Sequence, residues 1–182
     1  DTDATLPTLV VGEETSGELT HQDYGLYRVE ASAGEHLIVQ LDGEYAYDDN
    51  ELYVRYGALP TRTEYDAAGT EANHADQYLE VPSAQAGTYY VMAYSSYDSG
   101  GSDAYTVQVD TDATLPTLVV GEETSGELDS EDYGLYRLEA SAGEHLMVQL
   151  DGEYAYDDNE LYIGHGALPT RSEYDTAGID SN

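Results

Sequence analysis

Oxygen-rich side chains gather in two kinds of segment, and each kind occurs twice in the sequence. One begins D-T-D-A-T and is followed further along the chain by Gln-Asp in the first copy, or Glu-Asp in the second, before a Tyr-Gly. The other is a D-D-N-E turn before a Leu-Tyr pair. Hard cations such as Ca²⁺ take six to eight oxygen ligands, several of them carboxylates on loops. We therefore predict calcium as the cofactor that these segments indicate. The candidate metal ligands are Asp1, Asp3, Asp23, Asp110, Asp112, Glu131 and Asp132 in the first kind of segment, and Asp48, Asp49, Asn50, Asp157, Asp158 and Asn159 in the second.

A solvated acidic surface without metal is the alternative, because the whole chain is strongly acidic. There are 5 Lys and Arg residues against 38 Asp and Glu, all five basic residues are Arg, and the formal net charge is −33. Like charges at this density repel one another, whereas molar salt shortens the Debye length to about 3 Å. The composition predicts a protein of a halophilic archaeon, and it disfavours nucleic-acid partners, whose phosphates would be repelled.

The remaining reactive residues do not indicate catalysis. The chain has no Cys, and it contains no G-x-S-x-G, H-E-x-x-H or phosphate-loop motif. His36 and His145 begin predicted strands, where we expect them to face solvent, and His21 and His165 have no His at the corresponding repeat position. We predict no catalytic residues and no enzyme activity. No apolar run approaches the roughly 20 residues that a membrane span needs.

Tyrosine supplies all the aromatic side chains, 19 in number. Those within predicted strands, such as Tyr27, Tyr53 and Tyr89, are expected in the core. Exposed aromatic groups can form contact surfaces for proteins or glycans, although ordinary packing is the alternative for each. The tyrosines near predicted turns, which could form such a surface, are Tyr45, Tyr47, Tyr94 and Tyr97.

The sequence repeats itself with a period of 109 residues. Residues 110–182 match residues 1–73 except at 13 positions, and this period suits a whole small domain rather than a solenoid repeat. We predict one complete domain at 1–109 and a second copy at 110–182 that lacks a counterpart of residues 74–109. Strands from a longer polypeptide or from a neighbouring chain would complete that copy; a truncated fragment is the alternative.

Short runs with period-2 alternation, separated by Gly- and Ser-rich turns, predict an all-β fold of tandem antiparallel β-sandwich modules. A further short strand is expected around Glu18. The other predicted strands are Thr8–Val11, Tyr24–Glu30, His36–Leu41, Glu51–Tyr56, Gln77–Val81, Gly87–Tyr94 and Ala104–Val109.

Two linked segments, ELYVRYGALPTRTEYD and AGTYYVMAYSSYDSGGSDAYTVQV, resemble the pre-peptidase C-terminal (PPC) domain family of bacteria and archaea. That resemblance implies a jelly-roll-like sandwich, related to the collagen-binding domains of collagenases and carried as a non-catalytic module by secreted proteases and other hydrolases. It also implies calcium between the acidic entrance and the turns HQDYG and SEDYG. The DTDAT entrance departs from the family's usual linker pattern.

Two functions remain open at this point. The first is an extracellular structural or adhesive repeat, in a filament or cell-surface array, whose partners are other copies of the protein and possible extracellular proteins or glycans. The alternative is an accessory substrate-binding or calcium-dependent domain of a secreted protease or other hydrolase. Near-identity of the copies favours the first, because repetition multiplies avidity. Both place the protein outside the cell or at its surface.

Overall fold

The computed structural model describes residues 5–45, 47–97, 103–128, 134–152, 159–166, 168–169 and 174–179. The chain divides into two compact units, Asp1–Leu138 and Glu139–Asn182. Each unit is described by itself below.

The first unit contains a complete β-sandwich and the beginning of the second copy. Alternating apolar residues with β-branched and aromatic side chains form its strands, and Gly-containing turns separate them. The sandwich strands are β1 (Glu14–Leu19), β2 (Tyr24–Ala31), β3 (Leu37–Gly43), β4 (Asp49–Tyr56), β5 (Ala67–Gly69), β6 (Gln77–Val81), β7 (Gly87–Tyr97) and β8 (Asp103–Thr111). Two further short strands, β9 (Thr117–Leu118) and β10 (Arg137–Leu138), pair in parallel.

The eight sandwich strands form two antiparallel sheets of four. One sheet has the order β1-β8-β3-β6 and the other β2-β7-β4-β5, which confirms the prediction of an all-β antiparallel sandwich. Strands β6, β7 and β8 come last in the module, yet β7 and β8 lie in the middle of their sheets. The late strands therefore hold the early ones together.

The core lies between the inner faces of the two sheets. Period-2 alternation sends every second side chain of a strand inward, and those side chains are almost fully excluded from solvent. The most deeply buried members of this core are Val29, Leu37, Val39, Leu41, Leu52, Val54, Val91, Val107 and Val109.

Tyr105 on β8 shows how closely the two sheets approach at one end of the sandwich. Its hydroxyl forms a hydrogen bond of 2.5 Å with that of Tyr27, and burial raises the pKa of Tyr105. A Cβ atom at Gly17 or Gly25 would lie within 2.5 Å of this side chain. Glycine at both positions is what leaves room for the Tyr105 ring.

One predicted strand is wrong, one is longer than expected and one observed strand was not predicted. Thr8 forms a single parallel bridge to Arg28, and Leu9–Val11 are not in a strand, so the predicted strand at Thr8–Val11 is wrong. The short strand expected near Glu18 is a full six-residue β1. Strand β5 was not predicted, because its sequence Ala-Ala-Gly has no β propensity of its own and forms by pairing with β4.

The second copy repeats only part of this structure in the described residues. In the second unit, β11 (Glu160–Ile163) pairs with β12 (Thr176–Ile179) in the register that β4 makes with β5. Met147, however, is 87% exposed, whereas its counterpart Ile38 in β3 is fully buried. In the first copy β3 pairs with β6 and β8, and residues 110–182 contain no counterpart of those two strands.

Among the described residues, no helix is long and apolar enough to cross a membrane.

Candidate binding groove

The segment Gly57–Asp66 folds back over the outer face of the sheet β2-β7-β4-β5; we call it the covering segment. It leaves β4 through Gly57, which has a positive φ of 67° that favours glycine. The carboxylate of Asp66 accepts a hydrogen bond of 2.7 Å from the Tyr56 backbone N–H, and the Asp66 N–H donates to the Val54 carbonyl at 2.8 Å. Both ends of the segment are thus tied to β4.

An ion pair fastens the middle of the covering segment to the sheet. The Arg62 guanidinium donates two hydrogen bonds to the carboxylate of Glu51, which is also the acceptor for the Tyr53 hydroxyl at 2.6 Å. Burial, and next the hydrogen bond to Glu51, raise the pKa of Tyr53 to about 12. The same carboxylate raises the pKa of Arg62. Arg62 is a bidentate donor here, a role that Lys cannot fill.

Aromatic contacts accompany the ion pair. The Tyr53 and Tyr65 ring centroids are 5.1 Å apart, and the Arg62 guanidinium carbon lies 4.6 Å from the Tyr94 ring centroid, a cation–π distance. Tyr53 is buried as predicted, but under the covering segment and outside the main core between the sheets.

A groove with a volume of about 350 Å³ lies between the covering segment and the outer face of the sheet. Tyr24 pairs with Tyr94 across β2 and β7, and Leu26 pairs with Met92. The groove is lined by Tyr24, Leu26, Leu59, Pro60, Thr61, Arg62, Met92 and Tyr94. Its surface offers two tyrosine rings for stacking and apolar walls for a small or extended ligand.

Only one of the four tyrosines predicted as a contact surface lines this groove. Tyr94 does so, whereas Tyr45, Tyr47 and Tyr97 are exposed elsewhere on the described surface. Sequence reasoning missed Tyr24, which is 56% exposed. Its signal was available: Tyr24 and Leu26 share the strand face opposite to the buried Tyr27.

The predicted carboxylates at the module entrances have different partners in the structure. Asp23 accepts a hydrogen bond from the Tyr24 N–H, buried Asp110 accepts one from the Thr114 hydroxyl, and Asp112 contacts His36. The other predicted entrance ligands, Asp1, Asp3, Glu131 and Asp132, lie outside the described residues.

The carboxylates of the D-D-N-E turn are not a solvated surface in the first copy. Asp48 and Asn50 are buried, and Asn50 donates to the Ala75 carbonyl at 2.8 Å. Asp49 accepts hydrogen bonds from the Asn73 N–H and the Ser96 hydroxyl. In the second copy Asn159 is half-buried, and Asp157 and Asp158 lie outside the described residues. In the part of the chain that the structure describes, no three His, Asp or Glu side chains could together hold a metal ion.

His36 does not face solvent, and that prediction was wrong. Its side chain is 12% exposed and lies between the carboxylates of Glu80 and Asp112. The sequence places these partners 44 and 76 residues away, so only the sheet pairing shows that they meet.

The fold and the groove define the class of protein. It is a two-sheet antiparallel β-sandwich with an aromatic groove on one outer face. Residues 23–95, which run from the turn before β2 to near the end of β7, match the family model of the bacterial pre-peptidase C-terminal domain. This segment is a member of that family, as the sequence motifs predicted. A comparison with curated proteins gives no match.

Solved structures of similar proteins include the pre-peptidase C-terminal domain of a collagenase from Bacillus anthracis, with a TM-score of 0.46 and 20% identity over 57% of this chain and 93% of that one. The periplasmic g-type lysozyme inhibitor PliG of Aeromonas hydrophila gives a TM-score of 0.42 and 17% identity over 57% and 96% of the two chains. CorA, a surface-associated copper-binding protein of Methylomicrobium album, gives 0.42 and 9% over 59% and 98%.

Proposed function

We propose that this chain is a non-catalytic extracellular repeat of a halophile, which builds a structural or adhesive array at the cell surface. The observation that carries this proposal is that the second copy repeats the local geometry of the first. The rings of Tyr162 and Tyr174 contact each other at a tilt, with their centroids 5.1 Å apart, as those of Tyr53 and Tyr65 do. The sequence of the module thus occurs twice, and the second copy repeats the β4–β5 pairing of the first.

The beginning of the second copy repeats the first as well. The Arg137 N–H donates to the Pro116 carbonyl at 2.8 Å, and the Arg28 N–H donates to the Pro7 carbonyl at 3.0 Å. An array of such modules would present the same surface at every repeat. Weak contacts by each module then add up through effective concentration.

The outer-face groove is the surface that we propose for adhesion. Tyr24 and Tyr94 offer ring faces, and Arg62 is neutralised by Glu51. A ligand would therefore meet aromatic and apolar contacts without a strong local charge. A neutral glycan or an uncharged extended protein segment suits such a surface, whereas an anionic polymer would be repelled by the acidic chain.

Binding in the groove is tested with the full chain in molar NaCl, using retention on immobilised neutral polysaccharides and extracellular proteins. Tyr24→Ala and Tyr94→Ala should each reduce retention about fivefold, since a stacked aromatic contact contributes on the order of 1 kcal/mol. Tyr47→Ala removes an exposed tyrosine outside the groove and is the control. Equal loss in all three variants would contradict a role for the groove.

The alternative, an accessory domain of a secreted protease or other hydrolase, is supported by the family match at residues 23–95. Calcium binding belongs to this alternative. The carboxylates of the described residues do not form a metal site by themselves, so calcium binding requires a direct test. Titration calorimetry of the chain with CaCl₂ in molar NaCl, comparing wild type with Asp23→Asn, addresses calcium binding. Saturable heat that Asp23→Asn removes would favour the calcium-dependent role.

A further inference from the structure

The first residues of the second copy are bound to the first module. Asp110 and Thr111 are the last residues of β8 and pair with Ile38 and Leu37 of β3, and Leu115 is buried. A Cβ atom at Gly12 would lie 3.4 Å from Cγ2 of Thr114. We call Asp110–Leu115 the joint.

Hydrogen bonds close the joint into a compact turn. The carboxylate of Asp110, itself buried, accepts from the Gln108 amide at 2.7 Å and from the Thr114 hydroxyl at 2.8 Å. The N–H groups of Thr114 and Leu115 both donate to the Thr111 carbonyl, at 2.9 and 3.2 Å. These two amide protons report directly on whether the joint is closed.

His36 ties the joint to two strands of the first module. Nδ1 lies 2.9 Å from Oδ1 of Asp112, and Nε2 lies 3.0 Å from Oε2 of Glu80 on β6. His36 itself immediately precedes β3. Each ring nitrogen of His36 thus lies within hydrogen-bond distance of one carboxylate oxygen.

We propose that His36 is a docking residue that holds the entrance aspartate of the following repeat. Asp112 occupies in the second copy the position of Asp3 in the first, so the His36–Asp112 contact joins one repeat to the next. The partner that this surface fits is the D-T-D-A-T entrance of another copy of the module. The proposal rests on the proposed repeat function and adds the contact that fixes one repeat to its successor.

Amide hydrogen exchange of the full chain in molar NaCl tests this role. His36→Gln and Asp112→Asn should each raise the exchange rates of Thr114 and Leu115 about tenfold, the change expected for loss of one charge-assisted hydrogen bond. The double variant should exchange no faster than either single variant, because the two side chains act through one contact. His145→Gln, the same substitution at the corresponding exposed residue of the second copy, should leave both rates unchanged.

Three results would overturn the proposal. One is unchanged exchange at Thr114 and Leu115 in His36→Gln. Another is an equal rise at the core amide of Val91, which would show general destabilisation of the module. The third is an equal rise in wild type on adding EDTA, which would make Asp112 a metal ligand. None of these readouts depends on the groove, so the adhesive function and the docking contact can fail separately.

Discussion

Tyr53 is the residue whose chemistry the fold changes in the most testable way. Its ring is buried under the covering segment, and its hydroxyl donates to Glu51. The pKa of Tyr53 is raised to about 12, above the ordinary tyrosine value of about 10. The folded protein therefore holds this proton more tightly than the unfolded chain does. The free energy of unfolding must then fall as the pH rises from about 10 to about 12, and Tyr53 contributes no pH dependence below that range.

We expect Tyr53→Phe to make the loss of stability above about pH 10 less steep, by up to about 2 kcal/mol at about pH 12. Urea unfolding in molar NaCl, followed by circular dichroism at a series of alkaline pH values, measures this. Tyr162→Phe makes the corresponding change in the second unit and is the control. An unchanged slope in Tyr53→Phe would show that the hydroxyl of Tyr53 already titrates normally.

At the scale of elements, the sequence predicted those strands that carry their own alternating apolar pattern. Strands β2, β3, β4, β6, β7 and β8 were found within a few residues of their bounds. Strand β5 forms because it pairs with β4, and Thr8–Val11 is not a strand because only Thr8 pairs with a neighbour. An alternating apolar pattern does not predict such pairing. Likewise the groove exists only because the covering segment folds onto β2 and β7. Alternation along β2 places Tyr24 on its outer face, but that Tyr24 lies beside Tyr94 depends on the pairing of β2 with β7.

The turn between β4 and β5 is an element that local sequence determines. The Asp66 carboxylate accepts from the Tyr56 N–H at 2.7 Å, and the Asp175 carboxylate accepts from the His165 N–H at 2.7 Å. The residue that donates differs between the copies, but the contact is made by its backbone. The Asp side chain is therefore what both turns share.

Asp66→Ala should lower the free energy of unfolding of the first module by about 1 kcal/mol, the typical contribution of one such hydrogen bond. Thermal unfolding in molar NaCl gives the measurement. Asp175→Ala deletes the matching contact in the second unit, so it should leave the transition of the first module in place. If both substitutions shifted that transition equally, the contact would not be local to each copy.

At the scale of the whole molecule, charge is the dominant property. Of the five arginines, Arg62 and Arg55 are committed to local ion pairs with Glu51 and Glu64. Few cations are therefore left to offset 38 carboxylates. Mutual repulsion favours expanded states of the chain, and only dissolved ions can screen it.

We expect the β-sheet signal in circular dichroism and the melting temperature both to rise steeply between dilute buffer and molar NaCl. Sucrose at matched osmolality is the control, because it favours compact states without screening charge. A full β-sheet spectrum with an unchanged melting temperature in dilute buffer would contradict a requirement for salt.

The continuation of β8 to Thr111 has a practical consequence for cutting the protein into pieces. The sequence repeat ends at Val109. A fragment cut or expressed to end there would lack Asp110 and Thr111, the last two residues of β8, which pair with Ile38 and Leu37. It would also expose Ile38, which is fully buried, and remove the Asp112 that holds His36. A single-module fragment should therefore extend through Leu115, so that it includes the first residues of the next repeat. The first six residues of one sequence repeat, Asp110–Leu115, therefore belong to the fold of the preceding module.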